Sequence, residues 1–441
     1  MLLHGIFPPV TTPFYPDGKV YFKKLEANVE RYSKTPIAGI VVLGSTGEAI
    51  LLSDEERREV LKIARDATAP NKVLIAGTGV ESAAETLKLT EYAAQLGYDV
   101  ALVRTPHYYK KQMQPANMLA FYRTVADRSP LPVMIYNFPQ ATGYDMPAEL
   151  VIELAAHPNL IGIKESSGDV EKVRKMVEGT RRIKRSVAVT ETFDAVTTRM
   201  LQPRRENNGQ GGELVPVSAL GGASKPSSSS VSVISGLRTR QKEVGFQVLT
   251  GAAQKLEPSL QAGAVGAILA FADAAPTACY EIYAAWKEGD VELARLKQER
   301  IAQAAQRIAG DLGIPGVKYA MDFNGYFGGT ARLPLLPLTA DLKAEVERQG
   351  LIAAEAGLRG VVCSPQEVSL LRRRLGPDLY IVVPGIRRRS DPSADQARVA
   401  TAKDAVRNGA THLVVGRPVL QAADPAAAFG EFMKEARCIG S

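Results

Sequence analysis

The feature that most limits what this chain can fold into is a rhythm of eight short, unbroken apolar runs. They recur roughly every 25–40 residues, with amphipathic Ala/Glu/Lys-rich stretches between them. The runs are Gly5-Ile6-Phe7, Gly39–Leu43, Val73–Ala76, Val100–Val103, Val133–Tyr136, Leu160–Ile163, Phe246–Leu249 and Val265–Leu269. Continuous rather than alternating hydrophobicity marks strands covered on both faces, as parallel sheets require. The stretches Asp54–Ala67 and Ser82–Leu96 carry a Ser/Asp cap followed by acids, so they predict helices. Eight β/α units favour an α/β fold closed as a (β/α)8 TIM barrel, although the pattern alone also admits an open, doubly wound sheet.

The rhythm breaks once. Between the helix expected at Val170–Arg182 and the run at Phe246 lie about 60 additional residues. Within them, Arg204 to Ser230 is rich in Gly, Ser, Asn and Pro, a composition that buries too little apolar area to offset backbone entropy. An insertion of about 186–244, largely disordered, is therefore expected, with an extra helix at Val187–Leu201. It falls in an α-to-β connection, which in a barrel lies opposite the catalytic face. Residues 1–346 thus read as the barrel domain. Residues 347–441 read as a partial βα appendage with runs at Gly360–Cys363, Leu379–Val383 and His412–Val415, too few units to close a barrel.

Several function classes are disfavoured. Cys279, Cys363 and Cys438 are far apart, as are the four histidines, so neither a disulfide framework nor a bound metal is expected. No apolar run reaches the length of a membrane span and the start lacks a signal-peptide pattern, which points to a cytoplasmic protein. The net charge of +7 is carried by residues 184–244 and 347–441, +4 each, leaving the catalytic body near neutral. The clusters Arg372–Arg374 and Arg387–Arg389 are read as solvated faces, and no nucleic acid is expected as a partner.

Chemistry concentrates at strand ends. Lys164 closes the run Leu160–Ile163, where a barrel lysine points into the catalytic mouth and partial desolvation favours the free amine that attacks a ketone. Tyr136 closes the fifth run, near enough to move protons for that amine. Gly44-Ser45-Thr46-Gly47-Glu48 follows the second run and offers hydroxyls and backbone N–H groups to a small carboxylate. Pro106-His107-Tyr108-Tyr109 follows the fourth. Each motif alone is weak; their convergence at the ends of strands two, four, five and six is not.

With these motifs in place, residues 1 to about 346, minus the insertion, resemble the dihydrodipicolinate synthase / N-acetylneuraminate lyase family of pyruvate-dependent class I aldolases. The resemblance extends to Gly313–Lys318 and Gly325-Tyr326-Phe327-Gly328-Gly329. It implies Lys164 as the Schiff-base lysine, Tyr136 as the proton-relaying phenol, and Ser45 and Thr46 as the pyruvate-carboxylate site, with Ser45 in the relay. Gly47, Ser166 and Gly251 are expected beside them as substrate-binding positions. Tyr108 matches the tyrosine that members lend across a subunit interface, which implies a homo-oligomer, a dimer of dimers. The implied substrate is a small 2-oxo acid, and no cofactor beyond the lysine imine is implied. Bacterial-type dihydrodipicolinate synthases carry an arginine two residues after the proline of Tyr-Asn-x-Pro; here Ala141 stands there, removing a bidentate anion contact. The His-Tyr-Tyr and Gly-Tyr-Phe-Gly-Gly segments look closer to 4-hydroxy-2-oxoglutarate aldolase. Cleavage to pyruvate and glyoxylate is therefore the favoured expectation, and 4-hydroxy-tetrahydrodipicolinate synthesis the alternative.

The tail resembles the last third of orotidine 5′-phosphate decarboxylase, through Gly360–Ser364, Val383–Arg387, Asp395–Arg398 and Val415-Gly416-Arg417-Pro418. That likeness implies Gln396, Gly416 and Arg417 as phosphate-binding positions. The charged Asp-x-Lys-x-x-Asp array of that family is absent: after Asp17-Gly18-Lys19 and Asp341-Leu342-Lys343 the third position is Phe22 or Val346. Decarboxylation by this chain is not expected.

Overall fold

The structure, a computed structural model, describes residues 1–202, 232–234, 237–355, 360–363, 365, 367–375, 380–388, 400–420, 422 and 424–437. The chain divides into two units, Met1–Val10 with Val29–Leu269, and Thr11–Asn28 with Ala270–Ser441.

The first unit holds strands β1 (Gly5–Phe7), β2 (Gly39–Val42), β3 (Val73–Gly77), β4 (Val100–Arg104), β5 (Val133–Asn137) and β6 (Leu160–Glu165). A ribbon follows, formed by β7 (Arg185–Thr190), β8 (Ser232–Ile234) and β9 (Leu237–Val244), and then β10 (Gln247–Thr250) and β11 (Gly266–Ile268). Eight of these form one parallel sheet in the order β1-β11-β10-β6-β5-β4-β3-β2. The Ala38 N–H donates to the Ile6 carbonyl and the Val41 N–H to that of Pro8, both at 3.0 Å, which joins β2 back to β1. The barrel reading therefore holds over the open sheet. Its interior is filled by Phe7, Val41, Ile75, Val100, Leu102, Met134, Ile161, Leu249 and Ile268. The expected helices form with their caps. Ser53 and Glu56 make a reciprocal capping box for Asp54–Ala67, and the Ser82 hydroxyl accepts from the Glu85 N–H ahead of Ala83–Leu96.

The inserted stretch needs a correction. Val187–Thr190 is strand, not helix: β7 pairs antiparallel with β9, Arg185 opposite Val244 and Thr190 opposite Thr239. A turn at Thr190–Asp194 ends it, with the Asp194 carbonyl accepting from Thr190. The alternation Ser186-Val187-Ala188-Val189-Thr190 is a period-two signal, and its partner strand lies some 50 residues on, beyond the reach of local propensity. The disorder expected for Arg204–Ser230 lies outside the described residues. The ribbon sits at the N-terminal end of the barrel, as the connection type required. Val189 and Val244 cluster with Leu2, and Arg185 donates to the carbonyls of Ala155 and His157 and of Leu160, the first residue of β6. The Thr198 N–H reaches Asp99 ahead of β4.

In the second unit, β12 (Gly360–Val362), β13 (Tyr380–Val383) and β14 (His412–Leu413) make a parallel three-stranded sheet in that order, bearing out the three βα-like units of the tail. Its core gathers Cys363, Val368, Leu371, Ile381, Val383, Ile386, Ala402 and Phe432. Of the described arginines in the two clusters, Arg373 is exposed, as a solvated face implies, while two others make tertiary contacts. Arg372 Nε donates to the Gly409 carbonyl, and Arg388 pairs with Glu431 over the Phe432 ring. Cys279 and Cys363 are free, buried thiols; Cys438 lies outside the described residues. No described helix is long and apolar enough to cross a membrane. Among the described residues no group of His, Cys, Asp and Glu is placed to hold a metal ion.

Candidate active site

One hydrogen-bonded row of the barrel carries the candidate chemistry. Arg104 on β4, Tyr136 on β5, Lys164 on β6 and Leu249 on β10 are consecutive register partners at the C-terminal ends of their strands. Lys164 is 4% exposed and its Nζ stands 4.1 Å from the centroid of the Tyr136 ring. The Tyr136 phenol shares a hydrogen bond of 3.2 Å with Ser45 Oγ. A structural role for Lys164 as one half of an ion pair is not what the fold builds. The adjoining acid, Glu165, is bound by Asn137 and Lys172 instead, and among the described residues Lys164 has no carboxylate partner.

Ser45 reaches the mouth because the chain turns sharply after β2, and Thr46, next in that turn, is buried. Leu43 and Glu48 bracket the loop in the left-handed region, at φ 62° and 55°, which is costly for such residues and persists only when packing fixes it. The Gly47 and Glu48 N–H groups donate to the Gly44 and Ser45 carbonyls, each at 3.0 Å. A Cβ at Gly47 would stand 3.0 Å from the Val10 carbonyl oxygen, so only glycine fits without a shift.

Ser166 and Gly251 are likewise brought together, beyond β6 and β10. The Gly251 N–H donates to the Glu165 carbonyl at 2.7 Å, and a Cβ on Gly251 would fall 1.9 Å from Ser166 Oγ. That hydroxyl is buried without a protein partner, a state that a polar substrate atom would relieve.

Beneath the row lies an anchor that motif reading missed. Glu165, 1% exposed, accepts from Asn137 Nδ2 on both oxygens at 3.0 Å, from the Ser167 N–H at 2.7 Å and from Lys172 Nζ at 3.3 Å. Asn137 Nδ2 and Lys172 Nζ both also donate to Asp145. The residues directly after Tyr136 and Lys164 are thus tied to each other. The available signal was an Asn and a Glu ending apolar strands, where a buried polar side chain must find a partner.

Tyr108 is not in the row. It is 73% exposed on the loop after β4 and meets Tyr109 edge-on at 5.2 Å. That loop is held by Glu81, whose carboxylate accepts the His107 and Tyr108 N–H groups at 3.0 Å each and pairs with Arg104 at 2.9 Å. Burial pushes the Glu81 carboxyl up, but the two N–H donors and Arg104 outweigh it and hold it below the usual glutamate value. A cavity of about 440 Å³ opens here, lined by Ile50, Arg57, Val80, Glu81, Arg104 and Tyr108. It adjoins a narrow cleft lined by Gly44, Ser45, Tyr136 and, again, Arg104.

In the tail, space around Gly416 is open at the start of a short helix, Arg417–Leu420. Gln396 and the side chain of Arg417 lie outside the described residues.

Comparison with known proteins gives the family to which the fold belongs. Residues 2–203 and 212–351 match the model of the dihydrodipicolinate synthetase family, and residues 338–432 that of the orotidine 5′-phosphate decarboxylase / HUMPS family. The chain is 30% identical over 356 residues to a 4-hydroxy-tetrahydrodipicolinate synthase of Methanosarcina barkeri, covering 80% of this chain and 100% of that protein. It is 28% identical over 345 residues to one of Methanothrix thermoacetophila, covering 78% and 95%. Among solved structures, YagE, a prophage protein from E. coli K12 in complex with pyruvate, superposes with a TM-score of 0.61 at 28% identity, covering 79% of this chain and 97% of that one. A dihydrodipicolinate synthase from Acinetobacter baumannii complexed with pyruvate gives 0.62 at 26% identity, covering 80% and 99%.

Proposed function

Because the chain belongs to the dihydrodipicolinate synthetase family of lysine Schiff-base aldolases, we propose that its reaction runs through a pyruvate imine on Lys164. The observation that carries this is the register row: a buried amine over the Tyr136 ring, whose phenol is hydrogen-bonded to Ser45. In the proposed sequence the Lys164 amine attacks the keto carbon of pyruvate, and the phenol and Ser45 hydroxyl deliver the proton that lets the carbinolamine lose water. The imine then loses a C3 proton to give an enamine, which adds to an aldehyde. Cleavage of a 4-hydroxy-2-oxo acid is the reverse. Thr46 binds the pyruvate carboxylate, with Gly47 shaping the turn that presents it, and Ser166, beside Gly251, meets a substrate oxygen.

For the aldehyde partner we favour glyoxylate, with 4-hydroxy-2-oxoglutarate as the compound cleaved. Support comes from Ala141 on the short helix Pro139–Thr142, where no guanidinium can grip a longer acid. The names of the curated relatives favour the second reading, condensation of pyruvate with aspartate semialdehyde. We further infer a homo-oligomer, a dimer of dimers, supported by the exposed Tyr108, Tyr109 and Ile50 at one rim of the barrel, with Tyr108 serving a second copy. The enzyme is inferred to be cytoplasmic and to need no metal, so a chelator leaves its rate unchanged. Residues 1–346 would carry this activity. For the tail we propose no reaction; a phosphate-binding role would show as uridine monophosphate binding lost in Arg417→Ala.

The deciding experiment is borohydride reduction with pyruvate. A pyruvyl adduct is expected on Lys164 and is lost, with turnover, in Lys164→Ala. An adduct elsewhere, or none on folded protein, rules the reading out. Parallel assays of 4-hydroxy-2-oxoglutarate cleavage and of pyruvate plus aspartate semialdehyde then separate the two acceptors.

A further inference from the structure

We propose that Arg104 is the specificity-determining residue for the aldehyde partner, gripping a carboxylate bonded directly to the reacting carbonyl carbon. The inference rests on the imine reading above and adds to it the residue that selects the acceptor. An arginine ends β4 where the apolar run gives out, and its side chain shares the inward parity of Val100 and Leu102, both part of the barrel interior. It is the register neighbour of Tyr136, as Lys164 is on the other side, and it lines the cleft with Ser45 and Tyr136.

The guanidinium is both held and available. Nη1 donates to Glu81 Oε1 at 2.9 Å and stands 2.7 Å from His107 Nδ1, which fixes the plane of the group. Among the described residues, Nε and Nη2 have no protein partner. That leaves one edge with two parallel N–H groups, the geometry that matches a carboxylate in bidentate fashion. With the side chain only 16% exposed, such a contact is partly shielded from water and correspondingly stronger.

Position sets the length of acceptor. Ala141 stands on the helix beyond β5, four residues past Asn137, whereas Arg104 is level with Tyr136. A cation at the strand end suits an acid whose carboxylate is one bond from its aldehyde, as in glyoxylate. The competing cation is Lys110, whose Nζ would lie 3.9 Å from a Cβ on Gly143, beside the Ala141 turn.

The test uses the full chain with Arg104→Gln, Arg104→Lys and Lys110→Gln. Two readouts are taken: borohydride labelling of Lys164 by pyruvate, and kcat/KM for condensation with glyoxylate or with glycolaldehyde, which carries a hydroxymethyl group in place of the carboxylate. Arg104→Gln is expected to label as wild type does and to lose about 10- to 100-fold with glyoxylate, but less than about 3-fold with glycolaldehyde. Arg104→Lys restores part of the loss, and Lys110→Gln leaves the ratio of the two acceptors unchanged. Equal losses with both acceptors, or a ratio that follows Lys110, overturn the proposal while the imine reading stands. A wild-type chain that takes no label overturns both.

Discussion

Replacing Glu165 with Gln tests whether the buried anchor holds the proposed catalytic row in register. Gln keeps the volume but removes the charge, and one of its two terminal atoms becomes a donor facing the donors of Asn137 and Lys172. Removing one member of a buried ion pair costs about 3–5 kcal/mol when the other is stranded. Here Lys172 keeps Asp145, and its side chain is 10% exposed, so about 2–3 kcal/mol is expected. For a domain of this size that lowers Tm by roughly 3–5 °C. The catalytic effect is separate. Glu165 and Asn137 directly follow Lys164 and Tyr136, and a 1 Å misplacement of reacting groups costs on the order of 100-fold. Thermal melts followed by calorimetry, with timed borohydride labelling well below Tm, measure both effects. Labelling of Glu165→Gln is expected to slow about 10- to 100-fold at a temperature where it is fully folded. A variant that melts and labels as wild type does would show that the anchor positions nothing.

Gly251→Ala forces Ser166 to move, because the new methyl would lie 1.9 Å from its Oγ and 2.8 Å from its Cβ; pyruvate KM in the condensation assay is expected to rise about tenfold, with a loss of about 1–3 kcal/mol in stability. Tyr136→Phe removes the phenol and its Ser45 bond, so single-turnover imine formation should slow by about 100-fold or more while the row still packs. Glu81 is held below the usual glutamate value, so its grip on the loop is intact above that value of 4.5 and is lost as pH falls through its folded-state value. Hydrogen-exchange protection of the His107 and Tyr108 amides should therefore persist down to about pH 5 in wild type and be absent at neutral pH in Glu81→Gln. Burial pushes the thiols of Cys279 and Cys363 up to about 12, so a thiol reagent at pH 8 should leave both unlabelled until the chain is unfolded.

The barrel strands were legible because each is a continuous apolar run, Lys164 and Tyr136 as candidates because they close such runs, and Ser45 because its loop follows one. What the sequence hid was pairing at a distance. The partner of Val187–Val189 is Arg240–Lys242, a polar segment that looks like nothing by itself and becomes a strand only through its register with β7. Arg104 was hidden by a boundary: the fourth run reads as ending at Val103, yet one more residue on the same inward parity brings a guanidinium into the mouth. Tyr108 shows the opposite case. The loop that carries it is local and readable, but the ring is 73% exposed and outside the row, so its role comes from resemblance. The Asn137–Glu165 anchor belongs with the hidden features, since two unremarkable polar residues acquire meaning only when β5 and β6 lie side by side.

The antiparallel ribbon has a kinetic consequence for assembly. Sealing β6 against β10 requires a chain excursion lengthened roughly fourfold by the added stretch, worth about 1 kcal/mol of closure entropy. Pairing Arg185 with Val244 moves that cost to ribbon formation, where the ribbon's own hydrogen bonds offset it, because it brings the two ends of the detour to within a strand's width of each other. Once the ribbon has zipped, the remaining search is as short as in an uninterrupted barrel. Weakening the ribbon should therefore retard ring closure during refolding while leaving the finished ring's own hydrogen bonds untouched.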